Sequence, residues 1–292
     1  MTYTLYLGDR SYSSWSLRAW LLCDVYELPV SYRFVDFAAG GVAAQMSEAA
    51  PARTVPTLKT PDGAIISESL AIAEELASRF PDAPLWPADP KARAIARTLA
   101  AEMHSGFQAL RAECPMNLRV AYEDAPVSDA VSADLERIET IWREAREAGG
   151  VSGPWLCGSY SIADAFYAPV AMRIAGYDLP VSAAALAYVA LHLEHLPFRR
   201  WRARGLVEGQ TLDRYRRDYP TAPWPGPPPR PARAVESGAG AVNAICPYSG
   251  GAVTDFLEME GRVYGFCNPG CRDKTVADPE AWPAFMAIVE PA

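Results

Sequence analysis

The order of strand and helix patterns in the first 80 residues leaves this chain few folds to adopt. Tyr3-Thr4-Leu5-Tyr6-Leu7 is a short β-rich run, and behind it Trp15, Ala19, Leu22, Val25 and Tyr26 recur at helical spacing. Tyr32 to Asp36 reads as a second strand, and Gly40 to Ala50 as a loop or weak helix. Thr54 to Leu58, the turn signal Pro61-Asp62-Gly63 and Ala64 to Ile66 predict a β-hairpin. A helix follows, with Ile72, Ala73, Leu76, Ala77 and Phe80 on one face and Glu74, Glu75 and Arg79 off it. The order β-α-β-α-β-β-α predicts a small mixed sheet with helices packed on it.

A proline-rich passage from Pro81 to Pro90 reads as a domain boundary, and from Lys91 the pattern turns helical. Ile95, Leu99, Met103, Phe107 and Leu110 predict one helix, and Val131, Leu135, Ile138 and Trp142 another. Ser161-Ile162-Ala163-Asp164 has the form of a capping box, with Ile162, Phe166, Val170 and Ile174 as the buried stripe behind it. Ala183 to Leu196 and Phe198 to Tyr215 are further helical candidates. Seven of the twelve residues from Pro220 to Pro231 are proline, which predicts an extended spacer. The small-residue tract Ser237 to Ala241 extends it. The reading is an α/β domain over 1–80, an all-α domain over 90–219, a linker over 220–242 and a small compact unit over 243–292.

A formal net charge of −8 argues against a general nucleic-acid binder. No apolar run reaches the length of a membrane span, and no basic segment followed by an apolar one opens the chain, so a cytoplasmic protein is expected. Without such a leader, the six cysteines are not read as a disulfide framework. Cys23, Cys114 and Cys157 are scattered, whereas Cys246, Cys267 and Cys271 cluster near the end.

Candidate chemistry begins at Gly8-Asp9-Arg10-Ser11-Tyr12-Ser13-Ser14-Trp15, where a strand turns into a helix. The unpaired N–H groups at a helix start favour an anion. Ser11, Ser13 and Ser14 are therefore either caps or part of an anion site. Pro56 donates no hydrogen bond at the start of a predicted hairpin, which fits either a cis Val55-Pro56 bond or a trans proline at a sheet edge. A cis bond would leave the Val55 N–H and C=O open to an extended peptide. Ser67-Glu68-Ser69 opens the next helix, where the amides and the Ser69 hydroxyl suit a carboxylate and Glu68 suits an ammonium. A capping cluster reads the same way.

Taken in order, these features resemble the glutathione transferase superfamily: a hydroxyl-bearing loop before the first helix, Val55-Pro56 before a hairpin, Glu68-Ser69 opening a helix, and the Ser161–Asp164 box in an all-helical second domain. The resemblance covers Met1 to Tyr219. It implies a thioredoxin-like domain that binds glutathione, a helical domain that supplies the pocket for a small hydrophobic electrophile, and a homodimer. Carried over by position, Ser11 matches the catalytic residue of serine-using branches. Arg18 lies seven residues later, and Trp15-Ser16-Leu17-Arg18 is similar to the Trp-Arg-Val-Arg of the zeta class. That class has Ser-Ser-Cys where this chain has Ser11-Tyr12-Ser13, which leaves Ser13, Ser14 or Tyr12 open as the working hydroxyl and weakens a maleylacetoacetate isomerase reading. Val55 and Pro56 would meet the cysteinyl backbone of glutathione, Glu68 and Ser69 its γ-glutamyl end, and Arg53 is a further candidate. Tyr12, His104 and Phe107 are candidates for the electrophile pocket. His104 reads equally as an interior histidine.

The mechanism so implied is thiol activation. A free thiol titrates at about pH 8.5, and lowering its pKa by about two units takes roughly 2.7 kcal/mol. One charge-assisted hydrogen bond supplies about 1.5–3 kcal/mol, so a single hydroxyl suffices. A binding or sensing scaffold, and a glutathione-dependent isomerase or dehalogenase, are the alternative functions.

In the last unit, Cys246, a twenty-residue gap and Cys267-x3-Cys271 have metal-ligand spacing. With Phe266-Cys267 and Asp278-Pro279-Glu280 they resemble small TRASH/YHS-type metal-binding modules. Zinc takes four ligands, and no histidine lies in this segment. Asp255, Glu258, water or another chain would complete the site. The alternative is a unit that packs without metal.

Overall fold

The structure is a computed structural model that describes residues 2–150 and 152–291. The chain forms two compact units, Met1–His192 with Leu212–Pro225, and Leu193–Thr211 with Gly226–Ala292.

The first unit opens with strand β1 (Tyr3–Leu7), helix α1 (Ser14–Val25) and strand β2 (Val30–Phe34), followed by a 3-10 segment at Val42–Ala49. Strands β3 (Thr57–Lys59) and β4 (Ile65–Ser67) then lead into α2 (Ser69–Arg79). The sheet order is β2-β1-β3-β4; β1 runs parallel to β2 and antiparallel to β3, with Leu5 opposite Leu58. This is a thioredoxin-like arrangement. Leu5, Leu7 and Leu58 are fully buried because β1 and β3 are the inner strands. Helix α1 is buried continuously from Ser16 to Cys23, since α2 and α6 both pack on it. A helix covered on several sides can be apolar all round, which Leu17, Ala19, Trp20, Leu21 and Leu22 satisfy.

The helices that follow are α3 (Pro90–Ser105), α4 (Gln108–Glu113), α5 (Asp129–Gly149), α6 (Ile162–Gly176) and α7 (Ala183–Glu194). The single helix expected across Ile95 to Leu110 is two. The break falls at Gly106-Phe107, where Phe107 has φ +56° and a Cβ on Gly106 would lie 2.8 Å from the Glu102 carbonyl. Asp89 and Ser128 cap α3 and α5 with their side chains. The capping box at α6 is present: the Asp164 carboxylate accepts from the Ser161 N–H at 2.9 Å and from the Leu156 N–H at 3.0 Å. The short strands β5 (Ala121–Tyr122) and β6 (Thr221–Ala222) pair within this unit.

The second unit is larger than the tail read from the sequence. It comprises α8 (Leu196–Glu208), an antiparallel sheet of β7 (Ala232–Val235), β8 (Asp255–Met259) and β9 (Arg262–Phe266), and helices α9 (Pro269–Ala277) and α10 (Pro283–Val289). The helix expected over Phe198–Tyr215 stops at Glu208 and the spacer over 220–242 contains two strands, β6 and β7. The physical reason is core size. About fifty residues bury little apolar surface alone, and α8 adds Ala203 to a core of Leu257, Met259, Tyr264, Phe266, Trp282, Phe285 and Val289. Arg199 on α8 is bound to both Asp278 carboxylate oxygens, at 2.9 and 2.7 Å. Glu260 and Gly261, at φ +53° and +73°, make the two-residue turn between β8 and β9.

Candidate functional site

Four of the residues singled out by sequence line one cleft. Val55, Pro56, Glu68 and Ser69 surround a space of about 240 Å³, together with Thr54 and Trp15. The Val55-Pro56 bond is cis. Glu68, just before α2, has φ +73° and an exposed side chain. Such a conformation costs a non-glycine residue about 1–3 kcal/mol and is characteristic of binding sites. Ser69, the first residue of α2, is 1% exposed and its hydroxyl has no hydrogen-bond partner in the protein. An orphaned buried hydroxyl in a cleft wall is a place for a ligand's polar atom.

The three serines before and at α1 have separate environments. Ser13 is the N-cap: its Oγ accepts from the Ser16 N–H at 3.3 Å and donates to Ser16 Oγ at 2.8 Å. Ser16 Oγ in turn accepts from the Gly8 N–H at 2.9 Å, tying the end of β1 to the helix. Ser11 is buried; its N–H donates to Asp9 Oδ1 at 2.7 Å and its hydroxyl accepts from Arg119 Nη1 at 3.4 Å. Ser14 is half-buried at the first helical position, beside Trp15, and its hydroxyl has no hydrogen bond among the described residues.

The remaining candidates lie off the cleft lining. Tyr12 is buried, stacked on Tyr215 with ring centroids 4.6 Å apart, and its hydroxyl accepts from the Leu212 N–H. Burial pushes its pKa up. Arg53 is exposed beside Thr54. Phe107 is buried against Tyr167. His104 is nearer: its ring meets the Trp15 ring edge-on at 5.2 Å and its Nε2 is 3.7 Å from Glu68 Oε2. Sequence reasoning overlooked Thr54, the contact of Arg119 with Ser11, and the position of Trp15 in the cleft wall. Trp15 and Arg18 were singled out in the run Trp15-Ser16-Leu17-Arg18, but nothing in that run says that Trp15 walls the cleft.

In the second unit the sulfur atoms of Cys246, Cys267 and Cys271 lie within 4.8 Å of one another. A tight turn carries Cys246: its C=O accepts from the Gly250 N–H and its N–H donates to the Gly251 C=O. Burial would raise the Cys246 thiol, but N–H groups of Tyr248, Ser249 and Cys267 and the Ser249 hydroxyl outweigh it and bring the pKa down to about 6. Cys267 accepts from Ser249 Oγ at 3.1 Å and Asn268 Nδ2 at 3.2 Å. Burial pushes Cys271 up to about 11, against the pull of Lys274. Neither carboxylate considered as a fourth ligand joins the group: Asp255 is bound to Arg272 and Thr254, and Glu258 pairs with Arg233. Among the described residues the site is a set of three thiols.

Residues 12–79 match the family of the glutathione S-transferase N-terminal domain. A probable maleylacetoacetate isomerase of Caenorhabditis elegans is 40% identical over 106 residues, which is 36% of this chain and 48% of the nematode protein. The chain thus spans about half the length of that curated relative. A glutathione transferase homologue from Burkholderia, solved with bound glutathione, superposes with a TM-score of 0.52 at 26% identity, over 70% of this chain and 98% of that one. A maleylacetoacetate isomerase from Anaeromyxobacter dehalogenans, also solved with glutathione, gives 0.51 at 22% identity, over 72% and 98%. The second likeness is one of fold. The TRASH/YHS resemblance of the tail has no counterpart in these matches. Residues 12–79 are thus similar to a glutathione S-transferase N-terminal domain, and the thioredoxin-like sheet with the helices that follow it has the fold seen in glutathione transferases.

Proposed function

We propose that this protein is a glutathione transferase, activating the glutathione thiol for attack on small hydrophobic electrophiles. The observation that carries the reading is the cleft of Val55, Pro56, Glu68 and Ser69, with its orphaned Ser69 hydroxyl, inside the segment that matches the family. In it the backbone of Val55 meets the cysteinyl part of the tripeptide. Glu68 accepts from the ammonium, and the Ser69 hydroxyl and the start of α2 hold the γ-glutamyl carboxylate. Arg53 is outside the lining and has no role in this reading. Ser14 is the hydroxyl that donates to the sulfur, because Ser13 is spent on the cap and Ser11 is buried against Arg119. His104 borders the electrophile, whereas Tyr12 and Phe107 act only through packing.

The test is retention on immobilised glutathione and turnover of a generic aryl halide. Retention without turnover would favour a scaffold instead. Thiolate absorbance of bound glutathione should shift to higher pH in Ser14→Ala; a shift in Ser11→Ala alone would return the role to Ser11.

A narrower activity on the same site, the glutathione-dependent isomerase alternative, is favoured by the name of the nematode relative, a probable maleylacetoacetate isomerase. Isomerisation without aryl-halide turnover would establish it. The three sulfurs of Cys246, Cys267 and Cys271 suit one metal ion, zinc with solvent as fourth ligand, stabilising the second unit. A cytoplasmic homodimer rests on the family resemblance and is checked by sedimentation and fractionation.

A further inference from the structure

Arg18 has no acceptor for much of its guanidinium. It is 1% exposed, stacked over the Trp15 ring at 4.3 Å and the Phe166 ring at 4.9 Å, and its Nε and Nη1 have no hydrogen-bond partner. Two further guanidiniums repel it. Arg111 lies over the same Trp15 ring at 4.6 Å and donates to the carbonyls of His104 and Gly106. Arg173 is buried and donates to the carbonyls of Cys114 and Pro169.

None of the three is paired with a carboxylate among the described residues. Acids on the elements packed around them are engaged elsewhere: Glu102 with Arg137, Glu75 with Arg79, Glu74 with Arg97 and Trp86, and Asp164 in its capping box. Glu68 stands beside His104. Burial, then the other arginines, push the Arg18 pKa well down, and burial with Arg111 pushes Arg173 down to about 10. A buried charge left without its counter-charge destabilises a fold. Such a cluster is therefore incomplete in the protein alone. Trp15 connects it to the cleft, since the ring that Arg18 and Arg111 cover is itself part of the cleft wall.

We propose that Arg18, with Arg111 and Arg173, forms a buried positive cluster whose counter-charge is the thiolate of glutathione bound in the adjoining cleft. The three are positioning residues that act by field through Trp15, without touching the sulfur. The S–H bond breaks, the electron pair stays on sulfur, and the proton leaves to bulk water. This rests on the glutathione reading given above.

The test measures thiolate absorbance of glutathione bound to the full chain against pH, with thermal unfolding of the ligand-free protein. Variants are Arg18→Met, Arg18→Lys and Arg111→Met. Groups facing the cluster are the Tyr167 phenol, His104 and, beyond it, Glu68. The same titration is therefore repeated in a His104→Gln background.

In Arg18→Met the bound thiol should titrate higher by roughly half a unit or more, about threefold less thiolate below its pKa. Ligand-free Arg18→Met should melt no lower than wild type, because an unpaired buried charge has been removed. Arg18→Lys should keep the wild-type titration. Arg111→Met should shift in the same direction as Arg18→Met, and it carries the test if Arg18→Met does not fold. An unmoved titration with glutathione still bound, or a shift that vanishes in the His104→Gln background, overturns this proposal alone. No binding of glutathione by wild type overturns the glutathione reading and this proposal together.

Discussion

His104 Nε2 stands 3.7 Å from the Glu68 carboxylate, so the last turn of α3 faces the strained residue that precedes α2. Burial, and after it the charge of Arg18, hold the His104 pKa below its usual value, against the pull of Glu68. The histidine is thus neutral near pH 7 and leaves the carboxylate to an incoming ammonium. Acidification through the lowered pKa protonates His104, which then competes for Glu68. Glutathione affinity should fall by roughly three- to fivefold as pH drops through the lowered His104 pKa, as expected of one partly exposed ion pair. Titration calorimetry on His104→Gln should find that pH dependence flattened. An identical dependence in both proteins would remove His104 from the site.

Ser69→Ala should separate binding from stability. Its hydroxyl is buried with no partner in the protein, so its loss leaves nothing newly unsatisfied and the melting temperature should hold or rise. Affinity for glutathione should drop about tenfold, the worth of one hydrogen bond to a charged group at its lower end. Lost stability with unchanged affinity would make Ser69 a structural residue.

Asp164 offers a pH signature. Burial raises its pKa to about 6, although Leu156, Tyr188 and Ser161 all donate to it. A carboxyl raised in the folded state holds more protons folded than unfolded between about pH 4 and 6. Its contribution to stability is therefore fully present below pH 4 and declines as pH rises through 6. Denaturant unfolding should find the stability gap between wild type and Asp164→Asn narrowing over that range. A gap that widens would place the folded pKa below the unfolded one.

Arg199 and Asp278 form a nearly buried two-point pair that joins α8 to the 3-10 turn Pro279–Ala281. Arg199→Ala should destabilise the second unit by about 2–4 kcal/mol by stranding the carboxylate. Cutting the chain after Tyr219 should leave α8 without α9 and the 3-10 turn that pack on it, and yield protein that aggregates. A well-behaved, monodisperse fragment would contradict the assignment of α8 to that unit.

Added zinc should raise the unfolding temperature of wild type, and Cys246→Ser should abolish the rise and the bound metal. Equal zinc content in both would exclude the three-thiol site.

Local patterns were legible in the sequence because their physics is local. The strand and helix periodicities, the capping box at Ser161 and Asp164, the proline after Val55 and the helix start at Glu68-Ser69 each depend on neighbours a few positions away. The break at Gly106-Phe107 was hidden, since apolar spacing continues straight across it. The order of those pieces was enough to name the fold and to bring Val55, Pro56, Glu68 and Ser69 into consideration together.

What the tertiary structure alone decided are the relations between residues far apart in the chain. Arg18, Arg111 and Arg173 come from three helices, and nothing in their local sequences says that their charges share one interior. Which of Ser11, Ser13 and Ser14 remains free depends on Arg119 and on a bond to Ser16 that only the folded turn creates. Helix α8 was assigned to the helical domain by its position, but core size draws it to the tail, since burial rewards total apolar area and takes no account of chain order.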